Sequence, residues 1–420
     1  MDKNVTSSIN KPPLFLTYTR TLAKYDQYLS EIMIPDTDIG LISTIDSFYL
    51  KLLKIIDPNN YVDYIKFREL CKEYAVLDFI SPEELEVEIE GFIFANDISM
   101  EEYIDKRIHR KGMRNPLSIK QRTLIWGIRD TLVNKMDELK CYSRNYSRKI
   151  ILENIESFSE DIKYTTLGTV LIDETQDLTV VELKILKKLA TGGILMAGDS
   201  DQTIYGVSSP YKRAGISIVG RTKNLHTNFR NTCSIHDFAD KFRKSGVAGT
   251  WDNSTLSKSF REGPTPELHT GDTEKDLVMD LLSKINLYID KIGYDPENLC
   301  IIAPRNSDID LFKNLLDIIG FTGVNVKEAQ FNFNSTGCVR LSTMHSSKGL
   351  DFPVVLLYLN SLPYTAPYDS RAAEKLNRNL IYVAMTRAMD NLDIYIKKNP
   401  EELIFQDLIK VYEEYLKEQN

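Results

Sequence analysis

The sequence predicts an α/β protein built from two parallel-sheet domains, with a helical insertion in the first. Short apolar segments typical of strands alternate with helical segments in both halves of the chain. This alternation stops between about residues 51 and 165, where only the helical period remains. Because parallel strands need a crossover connection, such alternation is typical of parallel sheets. The 420 residues are enough for two to three domains.

Four strand segments predict the first parallel sheet. Residues 14–19 follow two prolines and are predicted as a strand, and residues 40–45 as a second. Residues 168–172 and 193–197 are strand-like again, with the helical run 180–189 between them. We therefore expect one sheet whose strands come from both sides of the helical region.

The helical insertion is predicted from start signals and periodicity. Ser81-Pro82-Glu83-Glu84 resembles a capping box with proline at the first helical position. Farther along, apolar residues recur at helical spacing. These residues are Leu124, Ile125, Ile128, Leu132 and Met136.

The second half returns to α/β patterning after a polar stretch rich in glycine and proline around residues 244–273. An amphipathic helix is predicted after Pro400. The predicted strands are residues 299–303, 339–342, 354–357 and 392–396.

These patterns divide the chain into three parts. Residues 1–50 and 165–235 are assigned to the first sheet domain, and residues 51–164 to the helical insertion. Residues 236–420 are assigned to the second sheet domain, with the boundary near residues 232–245.

Composition and charge argue against a membrane-spanning, a secreted or a disulfide-rich protein. Hydrophobic residues make up 42% of the chain and charged residues 27%, which are ordinary globular values. The 52 Lys and Arg against 60 Asp and Glu give a net charge of −8. No run of 18 apolar residues occurs, the first residues lack a signal-peptide pattern, and the five cysteines are scattered. We therefore expect a soluble, cytoplasmic protein with no membrane partner.

One stretch differs from the acidic average. Residues 101–150 contain 13 Lys and Arg against 6 Asp and Glu, and four aromatic residues are interleaved with them: Tyr103, Trp126, Tyr142 and Tyr146. Cationic side chains neutralise phosphates and aromatic rings stack on unpaired bases, so this stretch is a candidate for binding nucleic acid. The alternative is a solvated helical face with ordinary core aromatics.

The segment Val170-Leu171-Ile172-Asp173-Glu174-Thr175-Gln176-Asp177 carries the most chemical information. An apolar strand delivers two adjacent carboxylates at its C-terminal end, where open α/β sheets bind ligands. One carboxylate can hold Mg²⁺ on nucleotide phosphates while its neighbour activates a water molecule. The alternatives are an acidic surface turn and a metal-dependent nuclease using Asp173, Glu174 and Asp177.

Two further segments add polar groups suited to phosphate. Gln202 follows the strand that ends at Gly198-Asp199, and its amide could sense a γ-phosphate and the attacking water. Arg230, in Asn228-Phe229-Arg230, is a candidate for stabilising phosphate charge. Taken alone, Arg230 would more often form a surface ion pair.

The order of these segments resembles the UvrD/Rep branch of superfamily 1 DNA helicases, from Leu14 to about Ile396. Asp173-Glu174-Thr175-Gln176-Asp177 is similar to the family's DExQD motif. The other matching segments are residues 198–205 (GDxxQxIY), 228–230 (NYR), 343–352 (TxHxxKGLEF) and 382–388 (YVAxTRA), with looser matches at residues 16–20 and 44–48.

The resemblance implies two RecA-like domains of the P-loop NTPase fold and a 3′–5′ helicase that couples ATP hydrolysis to movement along single-stranded DNA and to unwinding at duplex junctions. By resemblance, Asp173 binds Mg²⁺, Glu174 activates water, and Gln202 couples the γ-phosphate of ATP to DNA. Arg230 and Arg387 stabilise the transferred phosphoryl group, the latter reaching across the domain cleft.

The remaining roles implied by the resemblance concern nucleotide and DNA contacts. Asp351 contacts the nucleotide from the second domain. The residues expected near the single strand are Thr17, Thr44, Tyr205, Thr343 and His345. For His345, an ordinary interior histidine is the alternative.

The sequence departs from the family pattern in one major respect. The phosphate-binding P-loop, GxxxxGK[ST], is absent, and the chain contains no Gly-Lys dipeptide. Three explanations compete: a truncated or split helicase whose P-loop lies on a separate polypeptide, a complete protein that binds nucleotide by another route, and a non-hydrolysing DNA-binding or adaptor subunit. Smaller departures are Asp46 for the usual His, Asp351 for Glu and Val207 for a frequent Trp. The short spacing between residues 302 and 343 also predicts a minimal insertion in the second domain.

Overall fold

The computed structural model describes residues 13–33, 41–74, 77–105, 117–158, 167–198, 210–223, 225, 227–246, 258–363 and 370–419. Across these residues the fold is mixed α/β, and every strand pair is parallel. This confirms the predicted fold class. The chain forms two compact units, here called unit 1 (Met1–Ala23 and Met33–Thr222) and unit 2 (Lys24–Ile32 and Lys223–Asn420).

The elements of the described residues are numbered in chain order. The strands are β1 (Leu14–Thr17), β2 (Leu41–Thr44), β3 (Tyr61–Val62), β4 (Cys141–Tyr142), β5 (Leu167–Ile172), β6 (Ala190–Met196), β7 (Thr227–Thr232), β8 (Lys258–Arg261), β9 (Glu267–Gly271), β10 (Leu299–Ala303), β11 (Thr322–Asn325), β12 (Cys338–Thr343), β13 (Phe352–Leu359) and β14 (Ala388–Lys397).

The helices are α1 (Arg20–Met33), α2 (Ile45–Ile56), α3 (Tyr64–Tyr74), α4 (Pro82–Glu86, then Val87–Phe94), α5 (Met100–Ile104), α6 (Ile119–Leu139), α7 (Arg144–Asn154), α8 (Val180–Leu189), α9 (Pro210–Arg213), α10 (Cys233–Lys244), α11 (Glu274–Asn286, then Leu287–Ile292), α12 (Asn306–Ile318), α13 (Ser370–Met385) and α14 (Leu403–Gln419). In α4 and α11 the second segment is π-helical. Of the helices described, none has both the length and the apolar character needed to cross a membrane.

The sheet of unit 1 has four strands in the order β2–β1–β5–β6, which confirms the four predicted strand segments. Thr17 pairs with Thr44, and Leu16 pairs with Ile172, so the C-terminal ends of β1, β2 and β5 meet at one edge. The β5–β6 pairing shifts near Gly193, whose φ of +110° is rarely adopted by L-residues. This bulge lets β6 begin three residues before its predicted start.

Helices cover one face of this sheet. Leu14, Leu16 and Val170 are fully buried there and belong to the same core as Phe48 of α2 and Leu186 of α8. Alternate residues of a strand point to opposite faces, so the apolar positions of β1 and β5 fix which face packs against the helices.

The helical insertion forms as predicted at its start signals. Ser81 Oγ accepts a hydrogen bond from Glu84 N at 3.1 Å, and the Glu84 carboxylate accepts one from Ser81 N at 3.0 Å. Helix α6 buries Ile125, Leu132 and Met136 in the core shared with the sheet. These contacts make the insertion part of unit 1.

The sheet of unit 2 has six strands in the order β11–β12–β10–β13–β14–β9. Every residue of β10 is buried, with Leu299 and Ile301 in one core and Cys300 and Ile302 in the other. Helices α11 and α12 contribute to the first core, and α10, α13 and α14 to the second. Because both faces of the sheet are covered at β10, this strand is apolar at every position, as expected of a buried parallel strand.

Candidate functional site

The predicted carboxylate pair of unit 1 lies in the turn after β5. Asp173 N donates to Leu16 O at 3.0 Å, and Thr175 N donates to Ala197 O at 3.0 Å, so the neighbouring strands hold both ends of the turn. Between them, Glu174 has φ 56° and ψ 44°, a left-handed conformation that costs free energy for a residue with a Cβ. Such local strain often marks a functional position.

The side chains of this pair are half-buried at the C-terminal edge of the sheet. Asp173 Oδ1 accepts a hydrogen bond from Glu174 N at 2.9 Å, which fixes the first carboxylate against the turn. A half-buried carboxylate oxygen at this edge suits Mg²⁺, which favours hard oxygen ligands and retains several waters. The pair therefore has the donor chemistry expected of a magnesium–phosphate site.

The nuclease interpretation is not supported by the geometry. Among the described residues, the ligand atoms of Asp173, Glu174 and Asp177 do not converge into a group that could hold a metal ion, whereas those of Glu267, His269 and Asp393 do. As far as the described residues show, Asp173, Glu174 and Asp177 therefore do not form a three-carboxylate metal cluster after β5.

Two predicted site residues fall outside the described residues. Gln202 and Tyr205 belong to residues 199–209, and their roles stay predictions.

Thr17 and Thr44 end adjacent parallel strands and pair with each other in register. Both are buried, at 0% and 8% exposure. Thr44 Oγ1 caps α2 by accepting a hydrogen bond from Ser47 N at 3.2 Å. Thr17 Oγ1, in contrast, has no hydrogen-bond partner within the described part of the chain.

Asp46, two residues after Thr44, belongs to a cluster of four charged side chains. The Asp46 carboxylate forms ion pairs with Arg144 and Arg148 of α7, and both arginines also face Glu182 of α8, at 3.0 and 3.3 Å. Desolvation raises the pKa of Asp46, but the two arginines outweigh it and hold that pKa below its ordinary value. The residue that departs from the family's usual histidine thus has a structural ion-pair role.

A similar strand-end arrangement occurs in unit 2. Thr343 ends β12, and its Oγ1 accepts a hydrogen bond from Ser346 N at 3.2 Å. His345 lies within this turn and is exposed, so the interpretation of an interior histidine is wrong. Thr44-Ile45-Asp46-Ser47 and Thr343-Met344-His345-Ser346 therefore present the same capped turn, with Asp46 and His345 at matching positions.

The two predicted arginines of unit 2 face one carboxylate. Arg230 Nε lies 2.7 Å from Asp351 Oδ1, and Arg387 Nη1 lies 4.0 Å from the same oxygen. Arg387 is only 4% exposed, and its Nε donates to Val383 O at 2.9 Å and its Nη1 to Leu350 O at 3.3 Å. Arg230 is more accessible, with its side chain 40% exposed.

Sequence reasoning missed the asparagines that hold these arginines together. Asn228 Oδ1 accepts a hydrogen bond from Arg230 N at 2.9 Å. Asn231, which is 1% exposed, donates from Nδ2 to Thr386 O at 3.0 Å, next to Arg387. The signal available in the sequence was the pair of asparagines in Asn228-Phe229-Arg230-Asn231. A buried amide side chain needs several hydrogen-bond partners, so such residues often join neighbouring segments.

The aromatic residues of the basic stretch turn out to be core residues. Tyr103, Trp126, Tyr142 and Tyr146 are all under 9% exposed, so they cannot stack on bases in this arrangement. The cations of this stretch that the structure describes are also largely paired, for example Lys140 with Asp57. Within the described residues the four aromatics are therefore ordinary core residues, as the alternative interpretation states, whereas residues 106–116 lie outside the described part of the chain.

The fold and site define a class: a parallel-sheet α/β protein with a carboxylate pair at a strand end. Two family models match the chain, the UvrD/REP helicase N-terminal domain over residues 97–224 and the UvrD-like helicase C-terminal domain over residues 313–399. Together they cover just over half of its length. The chain belongs to the UvrD/Rep-like helicase family.

Individual relatives agree with this family. The R568 protein of Acanthamoeba polyphaga mimivirus, which bears the name of an ATP-dependent DNA helicase, is 27% identical over 274 residues, covering 60% of this chain and 37% of that protein. The ATP-dependent DNA helicase UvrD1 of Mycobacterium tuberculosis is 26% identical over 136 residues, or 31% of this chain and 18% of UvrD1. The ATP-dependent DNA helicase Rep of Buchnera aphidicola is 23% identical over 170 residues, or 38% of this chain and 24% of Rep.

The chain therefore spans less than half the length of these relatives. A solved C-terminal domain of a possible DNA helicase from Lactobacillus plantarum WCFS1 has 18% identity and a TM-score of 0.31, covering 42% of this chain and 92% of that domain. A likeness this weak supports no conclusion about the site.

Proposed function

We propose that the chain is the core of an ATP-dependent 3′–5′ DNA helicase that uses Mg²⁺ and moves along single-stranded DNA toward duplex junctions. The observation that carries the proposal is the strained Asp173–Glu174 turn at the C-terminal edge of the unit 1 sheet. Neighbouring strands hold this turn, and preorganised carboxylates of this kind suit phosphoryl transfer.

In this proposal the two carboxylates divide the work. Asp173, fixed by the hydrogen bond from Glu174 N, would hold Mg²⁺, which neutralises charge on the nucleotide phosphates when bound. Glu174 would accept a proton from the attacking water or orient it. Gln202 would connect this water to the DNA-binding surface.

Arg230 and Arg387 would stabilise charge on the nucleotide phosphate. Both face Asp351, so a nucleotide phosphate would compete with this carboxylate for the two guanidinium groups. Arg230 can turn toward a ligand with little loss of packing because its side chain is 40% exposed. Arg387 would first have to give up hydrogen bonds to Val383 O and Leu350 O.

DNA would contact the capped strand ends. Thr44 and Thr343 each end a strand and begin a tight turn, and backbone N–H groups of such turns can bind phosphates. His345 is exposed in the second turn and would contact the single strand directly. Thr17 and Tyr205 complete the proposed DNA contacts by resemblance alone.

The test is Mg²⁺-dependent ATP hydrolysis by the purified chain, with and without single-stranded DNA. Glu174→Gln should lower kcat at least 100-fold, since general-base catalysis typically contributes that much. Glu156→Gln is the matched control, because Glu156 is an exposed glutamate that pairs with Lys188 at the surface. Its turnover should equal that of the unsubstituted chain.

DNA-stimulated turnover that survives Glu174→Gln would contradict the assignment of Glu174. Absence of any turnover while single-stranded DNA still binds would refute autonomous helicase activity. That second result would favour the non-hydrolysing DNA-binding or adaptor subunit.

A further inference from the structure

Arg230 lies in a bulge of the two-stranded sheet that β7 and β8 form in unit 2. Asn228 of β7 pairs with Ser259 of β8, and the next pair in register is Thr232 with Arg261. Three residues of β7 therefore face a single residue of β8. Bulges redirect side chains and are frequent next to active sites. The backbone of this bulge thus sets the direction of the Arg230 side chain.

Two side chains of β8 hold the backbone of this bulge. Arg261 Nη1 donates a hydrogen bond to Arg230 O at 2.5 Å. Ser259 Oγ donates one to Asn231 O, also at 2.5 Å. A bulge interrupts the ladder of backbone hydrogen bonds, so its carbonyl groups need other donors. Side chains of the neighbouring strand supply donors to two successive carbonyl groups here.

Arg261 also reaches the chain segment that follows Arg387. Its Nη2 forms an ion pair with Asp390 Oδ1, and its Nη1 lies 3.5 Å from Met389 O. A guanidinium group presents several donors in a fixed planar fork, so one side chain can hold two chain segments at a set spacing. Arg261 therefore joins the backbone of Arg230 to the segment that carries Arg387.

Two simpler roles for Arg261 explain its contacts less well. An ordinary surface ion pair fits the exposure of Arg261 and Asp390, whose side chains are 32% and 33% exposed. Such a pair, however, needs no contact with a backbone carbonyl. A direct phosphate ligand would have to give up both Asp390 and Arg230 O, since one guanidinium group binds them both. The contacts therefore favour a role in holding Arg230 in place.

We propose that Arg261 is a positioning residue for Arg230. By holding the bulge, Arg261 keeps the Arg230 guanidinium directed at Asp351, where the proposed function places a nucleotide phosphate. This inference rests on the proposed function, because it concerns the same phosphate. A charged group stabilises a reacting phosphate only when it is held in place beforehand. Loss of the Arg261 fork leaves Arg230 present but less firmly held.

The first test measures how fast phenylglyoxal modifies the Arg230 side chain, with the modified peptides quantified by mass spectrometry. Arg261→Lys keeps a positive charge beside Asp390 but removes the fork. It should speed modification of Arg230 about fivefold, because the bulge opens more often once a hydrogen bond from a charged group is lost. Arg378 is the internal control, since it is 3% exposed and pairs with Asp407 in unit 2. Its modification should stay unchanged.

Two further variants and a kinetic comparison complete the test. Asp390→Asn weakens the same fork from its other end and should also speed modification of Arg230. Arg68→Lys is the matched control, because Arg68 pairs with Glu86 on α3 and has a 47% exposed side chain. For ATP hydrolysis, Arg230→Gln should lower kcat by a smaller factor in the Arg261→Lys chain than in the unsubstituted chain. An absent side chain cannot be positioned, so the two effects should not multiply.

Equal modification of Arg230 in the unsubstituted, Arg261→Lys and Asp390→Asn chains would overturn the proposal. Equal acceleration at Arg378 would overturn it too, because it would show that unit 2 loosens as a whole. Faster modification of Arg230 alone, without hydrolysis by the unsubstituted chain, would leave the positioning intact and contradict the proposed function. DNA-stimulated hydrolysis in which the effects of Arg230→Gln and Arg261→Lys multiply would support the proposed function and refute the inference.

Discussion

Replacing Glu182 by glutamine tests whether the cluster of charged side chains around Arg148 stabilises unit 1. Glu182 is fully buried and faces Arg144 and Arg148, and its carboxylate also accepts a hydrogen bond from Thr179 N at 3.0 Å. Glutamine keeps the size and the hydrogen bond to Thr179. The substitution therefore removes the charge and places an NH₂ group where a carboxylate oxygen faced the two arginines.

The expected cost follows from the burial of Arg148, which is 2% exposed. Removing one partner of a buried ion pair typically costs about 3 to 5 kcal/mol, because the other charge stays buried without its partner. Here Asp46 remains as a second partner of Arg148, although its side chain is 63% exposed and screened by solvent. We therefore expect Glu182→Gln to lower the free energy of unfolding by about 3 kcal/mol, the lower end of this range.

The assay is urea unfolding followed by the fluorescence of Trp126, which is 8% exposed in unit 1. A Trp251→Phe background makes Trp126 the only reporter, since the chain has two tryptophans. Glu153→Gln is the matched control: Glu153 is 3.7 Å from Lys149 and 59% exposed, so its loss should cost less than about 0.5 kcal/mol. A cost below about 1 kcal/mol for Glu182→Gln would refute the reasoning.

Two further predictions concern pH and backbone packing. Burial lowers the pKa of His269, but the hydrogen bond and charge of Asp393 and the charge of Asp280 raise it above its ordinary value. Protonated His269 therefore stabilises the folded state fully below about pH 6.5, and this stabilisation is lost as the pH rises through the higher pKa of the folded state. The midpoint of urea unfolding should accordingly fall between about pH 6 and 9. His269→Gln should make this fall smaller. A Cβ at Gly192 would lie 2.9 Å from Gly168 C, so Gly192→Ala should destabilise the protein by about 2 kcal/mol. Gly127→Ala, with open space in α6, should instead stabilise it by up to about 1 kcal/mol, and circular dichroism melts would distinguish the two.

Local patterns predicted the elements well because their signals are contained in a few neighbouring residues. Helix α8 spans Val180–Leu189 as predicted, and β10 spans Leu299–Ala303 as predicted. The capping box at Ser81 also forms as its sequence indicates. In each case the periodicity of apolar residues and the capping residues lie within one short segment. The tertiary contacts favour the same local structure, so the prediction holds.

The candidate site was predicted less completely because much of it depends on residues far apart in the sequence. The motif predicted a carboxylate pair at Asp173 and Glu174, but nothing local indicated the left-handed backbone of Glu174. The burial of Arg387 depends on Val383 and Leu350, and no pattern in the sequence specified those contacts. The aromatics of the basic stretch likewise show that composition cannot distinguish a core ring from a stacking surface.

The arrangement around Asp351 links these separate observations. Asn231 joins the strand that carries Arg230 to the backbone at Thr386, so the two arginine segments are held as one group. Within this group Arg230 is accessible and Arg387 is buried, although both face the same carboxylate. In the proposed function, a phosphate would therefore reach Arg230 first, and displacement of Asp351 would then bring the charge of Arg387 into use. Such an order would make arginine engagement depend on bound nucleotide, as coupling of hydrolysis to movement requires.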